Sequence, residues 1–98
     1  MENYKINAAI QLLPLSNNID KYGIVDKAIA IIQQSGLNYV VCPFETVIEG
    51  SFKEVVEVIE KIKNIGFTEG NDELIINLKL HCSGVKDLYI DDKTGKYR

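Results

Sequence analysis

YGIVDKAIAIIQQSGLNYVVCPFETVIEGSFKEVVEVIEKIK, residues 22–63, is the stretch whose periodicity decides the fold. Up to Gln34, Val25, Ala28, Ile29 and Ile32 recur at helical spacing, with Ile24 and Ile31 flanking the stripe. Gly36 supplies a stop, since glycine enters the left-handed conformation without a side-chain clash. Asn38 to Pro43 (NYVVCP) and Glu45 to Glu49 (ETVIE) then read as two short strands joined tightly at Pro43-Phe44. Ser51 and Glu54 form an S-x-x-E capping box. Behind it, Phe52, Val55, Val56, Ile59 and Ile62 predict a second helix with one apolar stripe, while Lys53, Glu57, Glu60, Lys61 and Lys63 face water.

Upstream, Lys5 to Leu13 (KINAAIQLL) reads as a strand that ends at Pro14, which cannot donate to a sheet ladder. Alternation places Ile6, Ala8, Ile10 and Leu12 on one face and Asn7, Ala9, Gln11 and Leu13 on the other. The loop Leu15 to Lys21 carries Asn18 and Asp20, either of which suits a helix cap. Downstream, Gly66 to Asn71 reads as a glycine-rich turn. Glu73 to His81 follows as a half-buried strand, with Leu74, Ile76, Leu78 and Leu80 alternating with Ile75, Asn77, Lys79 and His81.

The order is β-α-β-β-α-β. Two βαβ halves with right-handed crossovers fold into a four-stranded antiparallel sheet with both helices on one face, a ferredoxin-like α+β sandwich. Residues 1–81 form that domain. Residues 82–98 are a polar tail with a short Leu88-Tyr89-Ile90 island, suited to an edge strand, to pairing with a neighbour, or to fraying. No helix covers the second sheet face, which carries Ala9, Leu13 and Ile75 beside Gln11, Asn77 and Lys79. Apolar area of this kind marks an interface, so a homo-oligomer that stacks or extends its sheets is expected.

Composition narrows the function. The 98 residues carry 11 Lys+Arg against 14 Asp+Glu, for a net charge of −3, with no Trp and no basic run. A general electrostatic grip on nucleic acid is not expected. No apolar stretch approaches the roughly 20 residues of a membrane span, and the N-terminus does not read as a signal peptide. Cys42 and Cys82 are too few and too far apart for a disulfide framework or a zinc site; two reduced thiols in a cytoplasmic protein is the expectation. No metal and no cofactor are called for.

Fold alone does not choose a function. RNA-recognition domains stack bases on aromatic residues of the central strands, where this chain has Asn7, Ala9, Gln11 and Asn77. Metal chaperones carry C-x-x-C after the first strand, where this chain reads PLSNN. The only arginine is Arg98, which removes an acylphosphatase anion loop. An oligomeric small-molecule module, in the manner of ACT amino-acid sensors, stays open.

AAIQLLPLS at 8–16 and YGIVDKAIAIIQQSGLNYVVCPFETVIEG at 22–50 resemble the small thiamine-binding protein family. Its members pair an xxQ-x-x-P first strand with a helix ending SGLxY and a strand ending T-x-I/V-E-G. The resemblance covers about residues 4–81. It implies a ferredoxin-like fold, subunits paired through their sheets, a tetramer built as a dimer of dimers, and thiamine or its pyrimidine half as ligand. Where members often carry a charged I-K-I-D-D-R type stretch after the last strand, this chain has LKLHCSGVKD at 78–87.

Thiamine joins a cationic thiazolium to an aminopyrimidine, so a receptor needs an apolar or aromatic slot, a carboxylate, and amide or hydroxyl groups at the pyrimidine edge. Gln11 is a long amide in an apolar strand; Glu49 ends a strand before Gly50; Thr46 shares that hairpin. Asn77 is placed on the uncovered face with Gln11, and Ser16 lies in the loop where the first strand ends. Phe44 and Tyr39 are the aromatic candidates, each also suited to core or interface. His81 reads as a strand-end histidine, Cys42 as a buried inert thiol, and Lys5, Lys79 and Lys96 as solvated. The leading expectation is a non-enzymatic cytoplasmic binding protein for thiamine or its hydroxymethylpyrimidine moiety, held near subunit interfaces. An ACT-like sensor for another ligand, and a small enzyme using Glu49 as base, are the alternatives.

Overall fold

A computed structural model describes residues 3–16 and 20–98. Its elements run β1 (Ile6–Pro14), α1 (Lys21–Gln34), β2 (Asn38–Val41), β3 (Thr46–Gly50), α2 (Phe52–Thr68), β4 (Leu74–His81) and a short α3 (Ile90–Thr94), followed by a 3-10 turn at Gly95–Tyr97. The four strands form one sheet in the order β2-β3-β1-β4 with every neighbouring pair antiparallel. This is the ferredoxin-like arrangement.

Register fixes the two faces. Ile6, Ala8 and Ile10 of β1 pair with Gly50, Ile48 and Thr46 of β3, and Ala8 also pairs with Leu80 of β4. Ile6, Ala8, Ile10 and Ile48 are buried against Ala28 and Ile32 of α1 and Val55, Val58 and Ile62 of α2. The opposite face carries Asn7, Ala9, Gln11 and Leu13, alongside Val47 and Glu49 from β3 and Ile75, Asn77 and Lys79 from β4.

Both helices begin where local chemistry says they should. The Asp20 carboxylate accepts the Gly23 amide at 3.0 Å, capping α1; Asn18, the other candidate, lies outside the described residues. Ser51 and Glu54 complete a capping box: Oγ of Ser51 accepts from the Glu54 amide at 3.2 Å, and the Glu54 carboxylate accepts from the Ser51 amide at 2.9 Å. The hydrogen bond from the Ser51 backbone, then that from its side chain, hold the Glu54 carboxyl below its ordinary 4.5. Gly36 ends the α1 region with φ at +76°.

Three expectations are corrected. The turn expected from Gly66 starts later, because α2 runs through to Thr68 and the left-handed residue is Gly70, at φ +98°. Gly66 lies within that helix, and Leu74 packs directly on it: a Cβ there would meet Leu74 Cδ2 at 2.3 Å, so the position takes no side chain. The buried stripe of α2 is Val55, Val58, Ile62 and Gly66, whereas Phe52 and Val56 stay exposed on its flank. The tail is neither an edge strand nor frayed. Leu88 and Ile90 are buried, the Leu88 amide bonds the Lys5 carbonyl at 3.0 Å, and α3 lies over the sheet face that lacks the long helices. An apolar pair two residues apart docks on a surface without needing strand periodicity.

Candidate functional site

At one end of the sheet β1 outruns its neighbour. Its pairing with β3 stops at Ile10 and Thr46, while its pairing with β4 continues to Pro14 and Leu74. One edge of Gln11 to Pro14 is therefore open. The β2–β3 hairpin turns back there, closed by the Cys42 amide on the Glu45 carbonyl at 2.9 Å. The start of α1 stands opposite.

These three elements enclose a cleft of about 280 Å³. Tyr22, Val25 and Ile29 of α1 form one wall, β1 from Ile10 to Leu13 the back, and the hairpin from Val41 to Thr46 the other wall. A separate small cavity of about 40 Å³ lies between α1 and the sheet, bordered by Ile32 and Ile62. Thr46, only 8% exposed, lines both spaces and is the one polar side chain of the smaller among the described residues. The walls are apolar, and the aromatic rings at the mouth are open to solvent: Tyr22 is 86% exposed and Phe44 81%.

Polar groups sit at the rim. The Asn77 amide nitrogen donates to Gln11 Oε1 at 3.1 Å, which turns the Gln11 NH2 away from Asn77. The Glu45 carboxylate reaches the Lys79 ammonium at 3.6 Å, so Lys79 is paired and not merely solvated. Gln11, Phe44 and Thr46, all expected from sequence, thus meet in one cleft, with Asn77 bonded to Gln11 beside it.

Ser16 and Glu49 are elsewhere. Oγ of Ser16 accepts from the Asp72 amide at 3.2 Å, tying the end of β1 to the turn before β4. Glu49 is buried on the far part of the open face, where its carboxylate accepts from the Ile90 amide at 2.6 Å and from the Asn38 amide nitrogen at 3.5 Å. Next to it the Asn7 amide donates to the Leu88 carbonyl at 3.0 Å and accepts from Lys93 at 2.6 Å. Under α3 lies a second cavity of about 130 Å³, bordered by Asn7, Val40, Val47, Ile90 and Lys93. Cys42, half-buried and not sealed in the core, borders both spaces. Among the described residues no three His, Cys, Asp or Glu side chains converge as a metal set, and no helix is long and apolar enough to cross a membrane.

Sequence reasoning missed Tyr22 and Glu45. A signal for the first was available: Tyr22, Val25 and Ile29 recur at helical spacing beside the buried stripe Ile24, Ala28, Ile32. A second stripe too apolar for solvent, yet not in the core, borders a groove.

Comparison with known proteins identifies the family and the fold. The family model for thiamine-binding protein matches residues 8–98. A UPF0045 protein of Clostridium perfringens is 34% identical over 94 residues, covering 94% of this chain and 96% of the relative. A domain of unknown function, DUF77, from Bacillus cereus superposes with a TM-score of 0.90 at 32% identity, over 97% of this chain and 91% of that one. A candidate thiamine biosynthesis/salvage protein of Thermotoga maritima superposes with a TM-score of 0.85 at 23% identity, over 96% and 99%, a likeness of fold.

Proposed function

The chain belongs to the thiamine-binding protein family, and from that premise we propose that it is a non-enzymatic cytoplasmic binding protein for thiamine or its hydroxymethylpyrimidine moiety, with the cleft between α1 and the β2–β3 hairpin as the ligand site. One observation carries the reading. An apolar cleft opens between two exposed aromatic rings, with a buried hydroxyl, Thr46, in its wall and an oriented amide, Gln11, at its rim. The Gln11 NH2 suits a ring nitrogen of the aminopyrimidine, and apolar walls suit its faces. Phe44 and Tyr22 supply the stacking surfaces. Glu49 and Ser16 serve the fold instead.

At about 280 Å³ the cleft is near the lower end of the roughly 300–1,000 Å³ usual for small-molecule sites. A second copy at its rim would complete the enclosure. Two separate surfaces support a dimer of dimers. The open sheet face shows Leu13 and Ile75, 38% and 44% exposed. The flank of α2 and the unpaired edge of β4 show Phe52, Val56, Leu78 and Leu80. Gly66 packs on Leu74 and the two elements run in opposite directions, so these four residues share one end of the molecule.

The test is native mass spectrometry of the full chain with and without thiamine, followed by calorimetry on Gln11→Ala and Phe44→Ala. A fixed mass gain per subunit or subunit pair, and several-fold weaker binding by both variants, is the expected result. An assembly that stays bare at high thiamine refutes the ligand assignment.

A further inference from the structure

Among the described residues, Glu45 is the only charged side chain lining the cleft. Resting on the assignment of the cleft as the vitamin site, we propose that the site selects its ligand by charge: it takes an unphosphorylated, positively charged aromatic heterocycle, and Glu45 with the rings of Tyr22 and Phe44 makes the selection.

Tyr22 comes from α1 and Phe44 from the hairpin, and each presents most of its ring to solvent at the same opening. Aromatic faces carry a negative quadrupole and attract cations, more strongly once water is displaced. The Glu45 carboxylate follows Phe44 directly. Its side chain is 31% exposed, while that of its partner Lys79 is 79% exposed. An exposed lysine at 3.6 Å holds a carboxylate weakly, so Glu45 can exchange Lys79 for a ligand cation. The apolar walls of Val25, Ile29 and Val41 keep the local dielectric low and strengthen that new pairing.

The same arrangement disfavours phosphate esters. A phosphoryl group in this cleft meets the Glu45 carboxylate, and the cation beside it among the described residues, Lys79, is an exposed side chain already paired with that carboxylate. The cations of the neighbouring cavity, Lys93 and Arg98, lie beyond Cys42, and Lys93 is already bonded to Asn7. Repulsion of the wrong ligand is as much a part of specificity as attraction of the right one. A neutral pyrimidine alcohol, in turn, gains only the edge bonds and the stacking.

The experiment is calorimetry on the full chain with four probes: thiamine, its neutral isostere 3-deazathiamine, thiamine monophosphate and hydroxymethylpyrimidine. Thiamine is expected to bind tightest, with 3-deazathiamine and the monophosphate each about tenfold weaker. Glu45→Gln removes most of the preference for thiamine over 3-deazathiamine, and Lys79→Ala increases it. Equal affinity for thiamine and its neutral isostere, or tighter binding of the monophosphate, overturns selection by charge while the vitamin site stands. Failure of all four probes to bind overturns the site assignment as well.

Discussion

Removing the Glu49 carboxylate should unlatch α3 from the sheet without touching the cleft. Glu49 is 8% exposed, and its Oε1 takes the Ile90 amide at 2.6 Å. Ile90 is itself buried, so Glu49→Ala leaves its N–H without its acceptor. A hydrogen bond with one charged partner contributes about 1.5–3 kcal/mol, and an orphaned buried donor falls in the same range. The bond to Asn38, at 3.5 Å, adds little. Glu49→Ala should therefore cost about 2–3 kcal/mol, which lowers the thermal midpoint of a domain this size by roughly 10–20 °C at fixed protein concentration. Glu49→Gln keeps an acceptor oxygen and loses only the charge assistance, so it should cost about 1 kcal/mol. Circular dichroism melts give the two midpoints, and amide exchange at Ile90 reports the latch directly: it should speed up in the alanine variant and stay slow in the glutamine variant. Thiamine affinity should remain within about twofold in both, since Glu49 does not line the cleft. A glutamine variant as unstable as the alanine variant, or an alanine variant at the wild-type midpoint, refutes the latch.

Other perturbations reach different parts of the molecule. In a Cys82→Ser background, a thiol reagent should modify Cys42 slowly, and saturating thiamine should slow it further, because Cys42 borders the cleft; unchanged labelling places the ligand elsewhere. The Glu54 carboxyl is held below 4.5 in the folded chain by Ser51, so its contribution is present above the unfolded value and fades as pH falls through the lowered one. Below pH 4.5 the thermal midpoint should drop, and part of that drop should vanish in Glu54→Gln when the two pH series are compared. If the two surfaces serve two interfaces, Ile75→Glu and Leu80→Glu should each stop assembly at a dimer by native mass spectrometry, and the double variant should be monomeric; a single variant that goes straight to monomer argues for one shared interface.

Much of the fold was legible because its signals are local. The alternation from Ile6 to Leu13, the S-x-x-E box at Ser51 and Gly36 after the first helix each state a conformation within a few residues. What escaped depends on contacts between distant residues. Phe52 and Val56 fit the apolar stripe of α2 by spacing, yet the edge position of β4 leaves that side uncovered. The need for glycine at position 66 comes from Leu74, eight residues on, and a lone glycine reads as a breaker until its packing partner is known. The site divided along the same line. Gln11 stood out as a long amide in an apolar strand and Thr46 as a hydroxyl in the neighbouring hairpin, and both line the cleft. Glu49 stood out as a carboxylate at a strand end, but its partner is the Ile90 amide, and no pattern in the sequence announces a bond to a backbone group 41 residues away. Glu45 was hidden at a strand start, where a carboxylate is unremarkable until Lys79 and the cleft are placed around it.

The latch over the open face also orders events in time. Its bonds join Asn7 to Leu88, Asn7 to Lys93 and Glu49 to Ile90, spanning 81, 86 and 41 residues. During synthesis at roughly 5–20 residues per second, none of them can close until residues 88–93 have left the ribosome. By then β1, β3 and both long helices have emerged, and loop closure over such separations is slow compared with helix formation. The nascent chain therefore passes through an interval in which Asn7 and Glu49 stand uncovered on a sheet face that also displays Leu13 and Ile75. Two chains that met through that face before residues 88–93 docked would leave α3 no place on the sheet.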